Sequence, residues 1–195
     1  MANISLTREE HISLWNSFRN GDHDAFSRIY EIFTADLYRY GYNLVRNKQM
    51  VEDCLHELFL YLHHKKSKLG ATDNIRFYLY RALRHRLLDA LDKRKRYDAT
   101  ADILELPEFT VQPFESLLIE DQLRIRQKEM VLNELDKLPK RQKEILYLVY
   151  LKGLTYQETS EVMEISMKSV YNTVNIALGS LKKYVQSAFL REDVH

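Results

Sequence analysis

An all-α protein is the fold class this sequence predicts: two small helical domains joined by a flexible linker, the C-terminal one a helix-turn-helix. Three observations carry the prediction. Glycine and proline are scarce, 5 and 3 among 195 residues, which leaves few of the turns that a β fold requires. Apolar residues recur at helical spacing along most of the chain. Between Tyr97 and about Glu120 that periodicity fails, in a stretch holding Pro107 and Pro113, and such a break reads as a linker. The expected division is residues 1–97, a linker over 98–125, and residues 126–195. Hydrophobic residues make up 45% of the chain, enough to bury a core.

The elements follow in order. Thr7-Arg-Glu-Glu10 has the capping-box pattern and starts a first helix. Gly21 ends it, and Asp22 or Asp24 caps the next. Phe26, Ile29, Tyr30, Phe33, Leu37, Tyr40, Leu44 and Val45 form the apolar stripe of that second helix. A third runs from about Gln49 to His64, with Val51, Leu55, Leu58, Phe59 and Leu62 facing inward. The polar stretch Lys65 to Asn74 is a loop. A fourth helix runs from about Asn74 to Arg96, with Ile75, Leu79, Ala82, Leu83, Leu87 and Ala90 inward and its basic residues outward. Beyond the linker, helix resumes near Asp121 and runs to about Lys137. Pro139 opens another helix, which Gly153 ends. The apolar run Ile145 to Leu151 is far shorter than the roughly 20 residues of a membrane span, so it reads as a buried helix.

TYQETSEVMEISMKSVYNTV, Thr155 to Val174, holds two helical patterns separated by MEIS. Thr155 and Glu158 form a second capping box, and Ser166 can cap the next helix. Val170, Val174, Ala177, Leu178 and Leu181 then face inward, and Lys168, Ser169, Tyr171, Asn172 and Asn175 face away. A recognition helix presents such outward N-terminal side chains to the major groove. Asn reads adenine there, and Lys reaches guanine or phosphate. An ordinary helical hairpin is the competing reading. The turn favours Gly, and Glu164 stands near it, at a cost of about 1 kcal/mol.

The net charge is +1, so the chain is no basic DNA-coating protein. Its charge is instead segregated. Arg76, Arg81, Arg84, Arg86, Lys93, Arg94, Lys95 and Arg96 stand against only Asp89 and Asp92, whereas acids dominate from Ala101 to Asp121. Segregation of this kind suggests sites of opposite sign. The one cysteine, Cys54, permits no internal disulfide and fits a reducing compartment. The opening residues lack an apolar signal core, so a cytoplasmic protein is expected. The seven histidines include His56, His63 and His64 on one helix but complete no known metal-ligand spacing. No Gly-rich phosphate loop or acid/base motif is present. No cofactor, metal, small-molecule substrate or catalytic residue is expected.

LPKRQKEILYLVYLKGLTYQETSEVMEISMKSVYNTVNIALGSLKK resembles the fourth conserved domain of bacterial sigma factors. DHDAFSRIYEIFTADLYRYGYNLVRNKQMVEDCLHELFLYL and NIRFYLYRALRHRLLDALDKRKR resemble their second. The family is the sigma-70 class, and the size is similar to its extracytoplasmic-function (ECF) branch. The resemblance implies a factor that binds core RNA polymerase, recognises the promoter minus-thirty-five and minus-ten elements and promotes melting, with no chemistry of its own. VEDCLHELF resembles the family's clamp-binding motif, which makes Asp53, His56 and Glu57 candidate polymerase contacts. The family more often has Gln at the position of His56.

The loop Lys65 to Asn74 would capture a flipped-out base. Lys68, Asn74, Arg76, Tyr80, Arg84, His85, Lys93 and Arg94 would then serve the minus-ten element. Cationic tracks and stacking faces hold single strands, and Phe77, Tyr78 and Tyr80 are candidate faces, with core packing as the competing role. His85 replaces the family's usual Asn. In the fourth domain Lys168, Ser169, Tyr171, Asn172 and Asn175 would read the minus-thirty-five element, and Thr155 and Gln157 would hold phosphate. The implied partners are the polymerase clamp and flap, promoter DNA both duplex and single-stranded, and, as the family often works, an anti-sigma factor at the inner membrane. Two other readings are a stand-alone helix-turn-helix regulator and a helical protein-binding adaptor. The first leaves the Val51 to Phe59 motif unexplained, and the second leaves the basic helix without a purpose.

Overall fold

The computed structural model describes residues 6–97, 131 and 133–192, and no strand occurs among them. The chain divides into two units, Met1–Pro107 and Glu108–His195. The expected linker, and most of the helix expected from Asp121, lie outside the described residues.

In the first unit, α1 spans Arg8–Arg19, α2 His23–Val45, α3 Lys48–Lys65 and α4 Ile75–Tyr97. The caps form as their residue types dictate. Thr7 Oγ1 accepts from the Glu10 backbone N–H at 3.2 Å, and the Thr7 N–H donates to Glu10 Oε2 at 2.7 Å. These bonds hold the Glu10 carboxyl below its usual range. Gly21 takes φ +99°, and Asp22 caps α2 through the N–H groups of Asp24 and Ala25. Asn47 caps α3. Arg46 ends α2 in the left-handed region at φ 50°, with its guanidinium over the Tyr42 ring.

α2, α3 and α4 pack on one another, and α1 lies against α2. Trp15, Ile29, Leu37, Tyr40, Val51, Leu62, Ile75, Leu79, Tyr80, Leu83 and Leu87 are fully buried. Each such side chain contributes roughly 1.5–3 kcal/mol of transfer free energy. Gly41 allows the close approach: a methyl there would sit 3.0 Å from Val51 Cγ1 and 3.2 Å from Leu87 Cδ1. Tyr30 departs from the expected stripe. It is largely exposed and rests edge-on against Phe59 at 4.7 Å, because the α2 stripe is wider than the face its neighbours cover.

In the second unit, α5 spans Lys140–Leu146, α6 Tyr156–Met163 and α7 Met167–Glu192. The run expected as one buried helix ends differently. Tyr147–Leu151 is a π-helical turn, and the Lys152 N–H donates to the Tyr147 carbonyl at 3.0 Å. The wider turn rotates its last residues outward, so Tyr150 and Leu151 are exposed while Ile145 to Leu148 are buried. α5 and α6 pack on α7 through Val162, Val170, Val174 and Ala177. Leu178, expected inward, is exposed and Leu181 is only half-buried, since α7 runs on past the short helices that cover its first turns.

The α6–α7 joint is closed by Glu164 at φ 55°, ψ 46°, with the Ile165 N–H donating to the Ser160 carbonyl at 3.0 Å. Because Glu164 is exposed, Glu164→Gly relieves the left-handed strain and gives up little packing. It should stabilise this unit by about 1 kcal/mol. A denaturant midpoint that falls on substitution would show that the Glu164 side chain stabilises the turn.

Candidate nucleic-acid interface

The outer face of α3 carries Asp53, His56 and Glu57, all exposed. They sit at positions i, i+3 and i+4, so they form one patch. Gln49 Nε2 donates to Asp53 Oδ1 at 3.0 Å. Arg86 of α4 reaches over to this helix. Its guanidinium lies 3.7 Å from Glu57 Oε2 and 5.3 Å from the Tyr61 ring centre. Exposed Leu60 and Tyr61 continue the patch one turn on. A face of acids beside apolar surface repels phosphate and suits contact with protein. Cys54, on the inner side of α3, is buried. Burial pushes its thiol up to about 11, which keeps it protonated and inert at neutral pH.

α4 and the segment before it carry the positive charge. Lys68 is exposed at the end of a 3₁₀ turn, Lys66–Lys68. Asn74 caps α4: its Oδ1 accepts from the Phe77 N–H at 3.1 Å. Arg76 and Arg84 are half-exposed and Arg81, His85, Lys93, Arg94, Lys95 and Arg96 are exposed. His85 Nδ1 lies 3.2 Å from Asp89 Oδ2. The helix does not bring all of these to one face. Arg84 and Lys93 are nine residues apart, which at about 3.6 residues per turn places them on opposite sides. Arg81, Arg84 and Lys95 share a side by the same count.

Tyr80 offers no ring to a base. It is fully buried and packs on Tyr40 with ring centres 4.9 Å apart. Its position corrects the stacking role expected for it; core packing prevails because Tyr80 follows Leu79 on the side facing α2. Phe77 and Tyr78 keep partial exposure, and Tyr78 lies against Trp15 at 5.0 Å. Burial, then the Tyr61 hydroxyl, raises the Tyr78 phenol above its usual value.

In the second unit Thr155 closes its capping box with Glu158 in both directions, at 2.8 and 3.1 Å. The Thr155 hydroxyl is thus engaged, and what this end of α6 can offer a phosphate is its backbone dipole. Gln157 Nε2 donates to Glu161 Oε1 at 2.9 Å. Ser166 Oγ accepts from the Ser169 N–H at 3.1 Å and meets Ser169 Oγ at 2.9 Å, so Ser169 is half occupied by the cap. Lys168, Tyr171, Asn172 and Asn175 are exposed on one side of α7.

Tyr171 leans on Tyr156 with ring centres 6.2 Å apart. Tyr150 hydrogen-bonds Tyr156 and raises its phenol above the usual value. The Tyr150–Tyr156–Tyr171 cluster beside α7 has no sequence signal, because the π turn brings its first member round. Likewise Arg8, His11 and Trp15 of α1, which reach the segment before α4, follow no motif. Among the described residues no group of three or more His, Cys, Asp or Glu side chains is placed to hold a metal ion, and no helix is long and apolar enough to cross a membrane. Where the start of α2 meets the end of α3, His63 instead meets the rings of His23 and His64. Desolvation, then Lys66 and these histidines, lowers its pKa.

Residues 29–97 match the family described as sigma-70 region 2, and residues 128–189 match sigma-70, region 4. The ECF RNA polymerase sigma factor SigM of Bacillus subtilis (strain 168) is 28% identical over 142 residues, covering 71% of this chain and 81% of SigM. SigX of the same organism is 23% identical over 174 residues, 88% of each chain. Among solved structures, RpoE of Bartonella quintana with the anti-sigma factor NepR has TM-score 0.60 at 16% identity, covering 83% of this chain and 96% of that one. CnrH with the cytosolic domain of CnrY has TM-score 0.56 at 17% identity, covering 91% and 97%. At these identities the structural likeness is one of fold.

Proposed function

The chain belongs to the sigma-70 family, in its ECF branch, a family of factors for promoter-specific transcription initiation with RNA polymerase, and on that premise we propose how its parts share the work. α3 docks on the polymerase clamp through Asp53, His56 and Glu57. The segment before α4, together with the Arg81–Arg84–Lys95 side of α4, holds the single strand of the minus-ten element. α7 reads the minus-thirty-five duplex through Lys168, Tyr171, Asn172 and Asn175. The polymerase carries out the chemistry, binding energy opens the duplex, and this chain supplies the specificity. RpoE was solved with an anti-sigma factor, and we extend that class of partner to this chain.

The observation that carries the reading is the pairing, on one chain, of an acidic and apolar helix face with a cationic one in the first unit and a helix-turn-helix in the second. Weak charge on the exposed side of α7 fits a reader that is delivered to DNA by a larger complex, since phosphate contacts supply most stand-alone affinity. Co-elution of the purified chain with core RNA polymerase on a sizing column tests the reading. Stable co-elution supports it. Tight specific duplex binding by the chain alone, without polymerase binding, overturns it in favour of a stand-alone regulator.

Asn172→Ala should relax base preference at one position of the upstream element, losing roughly 1–3 kcal/mol of discrimination there. Sequencing transcripts from a randomised promoter library gives the readout. A preference profile identical to that of the unaltered chain would remove Asn172 from the reading face.

A further inference from the structure

The segment between α3 and α4 is tied down by α1, which lies outside the matched residues 29–97. Arg8 Nε donates to Asp73 Oδ2 at 2.9 Å. The Trp15 indole N–H donates to the Gly70 carbonyl at 2.8 Å. The Ile75 backbone N–H donates to His11 Nδ1 at 3.4 Å in a buried setting, which places that ring's proton on Nε2. Arg8, His11 and Trp15 are spaced i, i+3 and i+7, so one face of α1 provides all three ties. Two further features shape the segment from within. Leu69 is buried, and Thr72 Oγ1 accepts from the Asn74 N–H at 3.1 Å. Lys68, Gly70 and Ala71 stay exposed around these anchors.

These ties have a property that plain fold stabilisation does not require. Arg8 and Asp73 are both solvent-exposed, at 77% and 50% of their side chains, and exposed pairs add little to global stability. What the pair does determine is where the segment lies. The Trp15 bond likewise ends on a backbone carbonyl in the exposed stretch, away from the α2–α3–α4 core.

We propose that α1 is a positioning element: Arg8, His11 and Trp15 preset the Leu69–Asn74 segment in the shape that receives an unstacked base of the opened promoter strand. The inference rests on the function proposed above. A loop ordered in advance avoids the entropy cost of ordering on binding, so the ties favour promoter opening without touching DNA themselves. The Trp15 ring, packed on Tyr78, also couples the segment to the first turns of α4.

The test uses the full chain with core RNA polymerase and three variants: Arg8→Gln, Trp15→Phe and the swap Arg8→Asp with Asp73→Arg. Trp15→Phe retains an aromatic ring at this fully buried position and removes the donor together with part of the ring volume, and Arg8→Gln, which leaves the core intact, guards against a folding failure at Trp15. Co-elution with polymerase should be unchanged. In Arg8→Gln and Trp15→Phe, hydrogen exchange of the Asn74 and Ile75 amides, which donate to Thr72 Oγ1 and His11 Nδ1, should speed up roughly fivefold to tenfold, the loss of about one hydrogen bond. Strand opening, read by permanganate reactivity of unpaired thymines, should fall by a similar factor, with weakened base discrimination at one minus-ten position. The charge swap should recover opening. Unchanged exchange would show that the ties do not hold the segment. Faster exchange with unchanged opening and base preference would reduce α1 to a structural role. Failure of the unaltered chain to bind polymerase would sink the functional reading, and the proposal with it, whatever the exchange rates show.

Discussion

Lys143→Met should cost the second unit roughly 2–4 kcal/mol, the largest loss of stability expected from a single substitution here. Lys143 is fully buried. Its ammonium donates to the Asp136 carbonyl at 2.9 Å and lies 3.7 Å from Asp136 Oδ1. It therefore satisfies the chain just before Pro139 and ties it to α5. Methionine has similar length and would fill the space, but it leaves the carbonyl without that donor. A unit this small has only a few kcal/mol in total. Its thermal transition should drop by roughly 10 °C or more, and amide protection should fade first in α5 to α7. If both stay as they are in the unaltered chain, the Lys143 bond is no determinant of this unit. The first unit should melt as before, which gives an internal control.

The largest functional loss should come from neutralising one side of α4. Arg81→Gln, Arg84→Gln and Lys95→Gln together remove three cations from the side of the helix that Arg84 occupies. Removing one phosphate neutralisation on a single strand lowers the slope of log affinity against log salt by about 0.7, so the slope should fall by about 2. Open-complex yield should fall roughly tenfold at moderate salt, where those cations contribute most. Lys93→Gln provides the contrast. Lys93 lies half a turn away, towards α3, where its charge is felt at Cys54, and its removal should leave opening nearly unchanged. Equal losses from Lys93 and from the triple variant would mean that net charge, and not one side of α4, holds the strand.

Much of this molecule is legible in its sequence. Helix boundaries in the first unit fall within a residue or so of the expected ones, because each is marked by a local device: the Thr7–Glu10 box, Gly21 with Asp22, and the polar loop before Asn74. The helix-turn-helix is legible for the same reason, including the strained Glu164. The family, too, is legible in motif order. Asp53, His56 and Glu57 on α3 and Lys168, Tyr171, Asn172 and Asn175 on α7 are exposed, where helical periodicity puts them.

Other features are not legible. Tyr80 reads as well as Tyr78 for a stacking face, and only the packing of Tyr40 against it decides that one ring is core and the other half exposed. The π turn after α5 has no pattern of its own, yet it moves Tyr150 beside Tyr156. Arg86 belongs to the basic run by sequence but is directed to Glu57 and Tyr61 across the helix pair.

By itself, then, the sequence determined the helices, their caps, the two-part organisation and the kinship, since each rests on residues within a few turns of one another. The tertiary structure decided which aromatics are core, which cations share a side, and that α1 holds the segment before α4 through Arg8, His11 and Trp15. The physical reason is range. Caps and periodicity act over three to eight residues, whereas the Arg8–Asp73, Trp15–Gly70 and His11–Ile75 bonds join residues 55 to 65 positions apart, and only the packing of α1 beside the α3–α4 connection brings them within hydrogen-bonding distance.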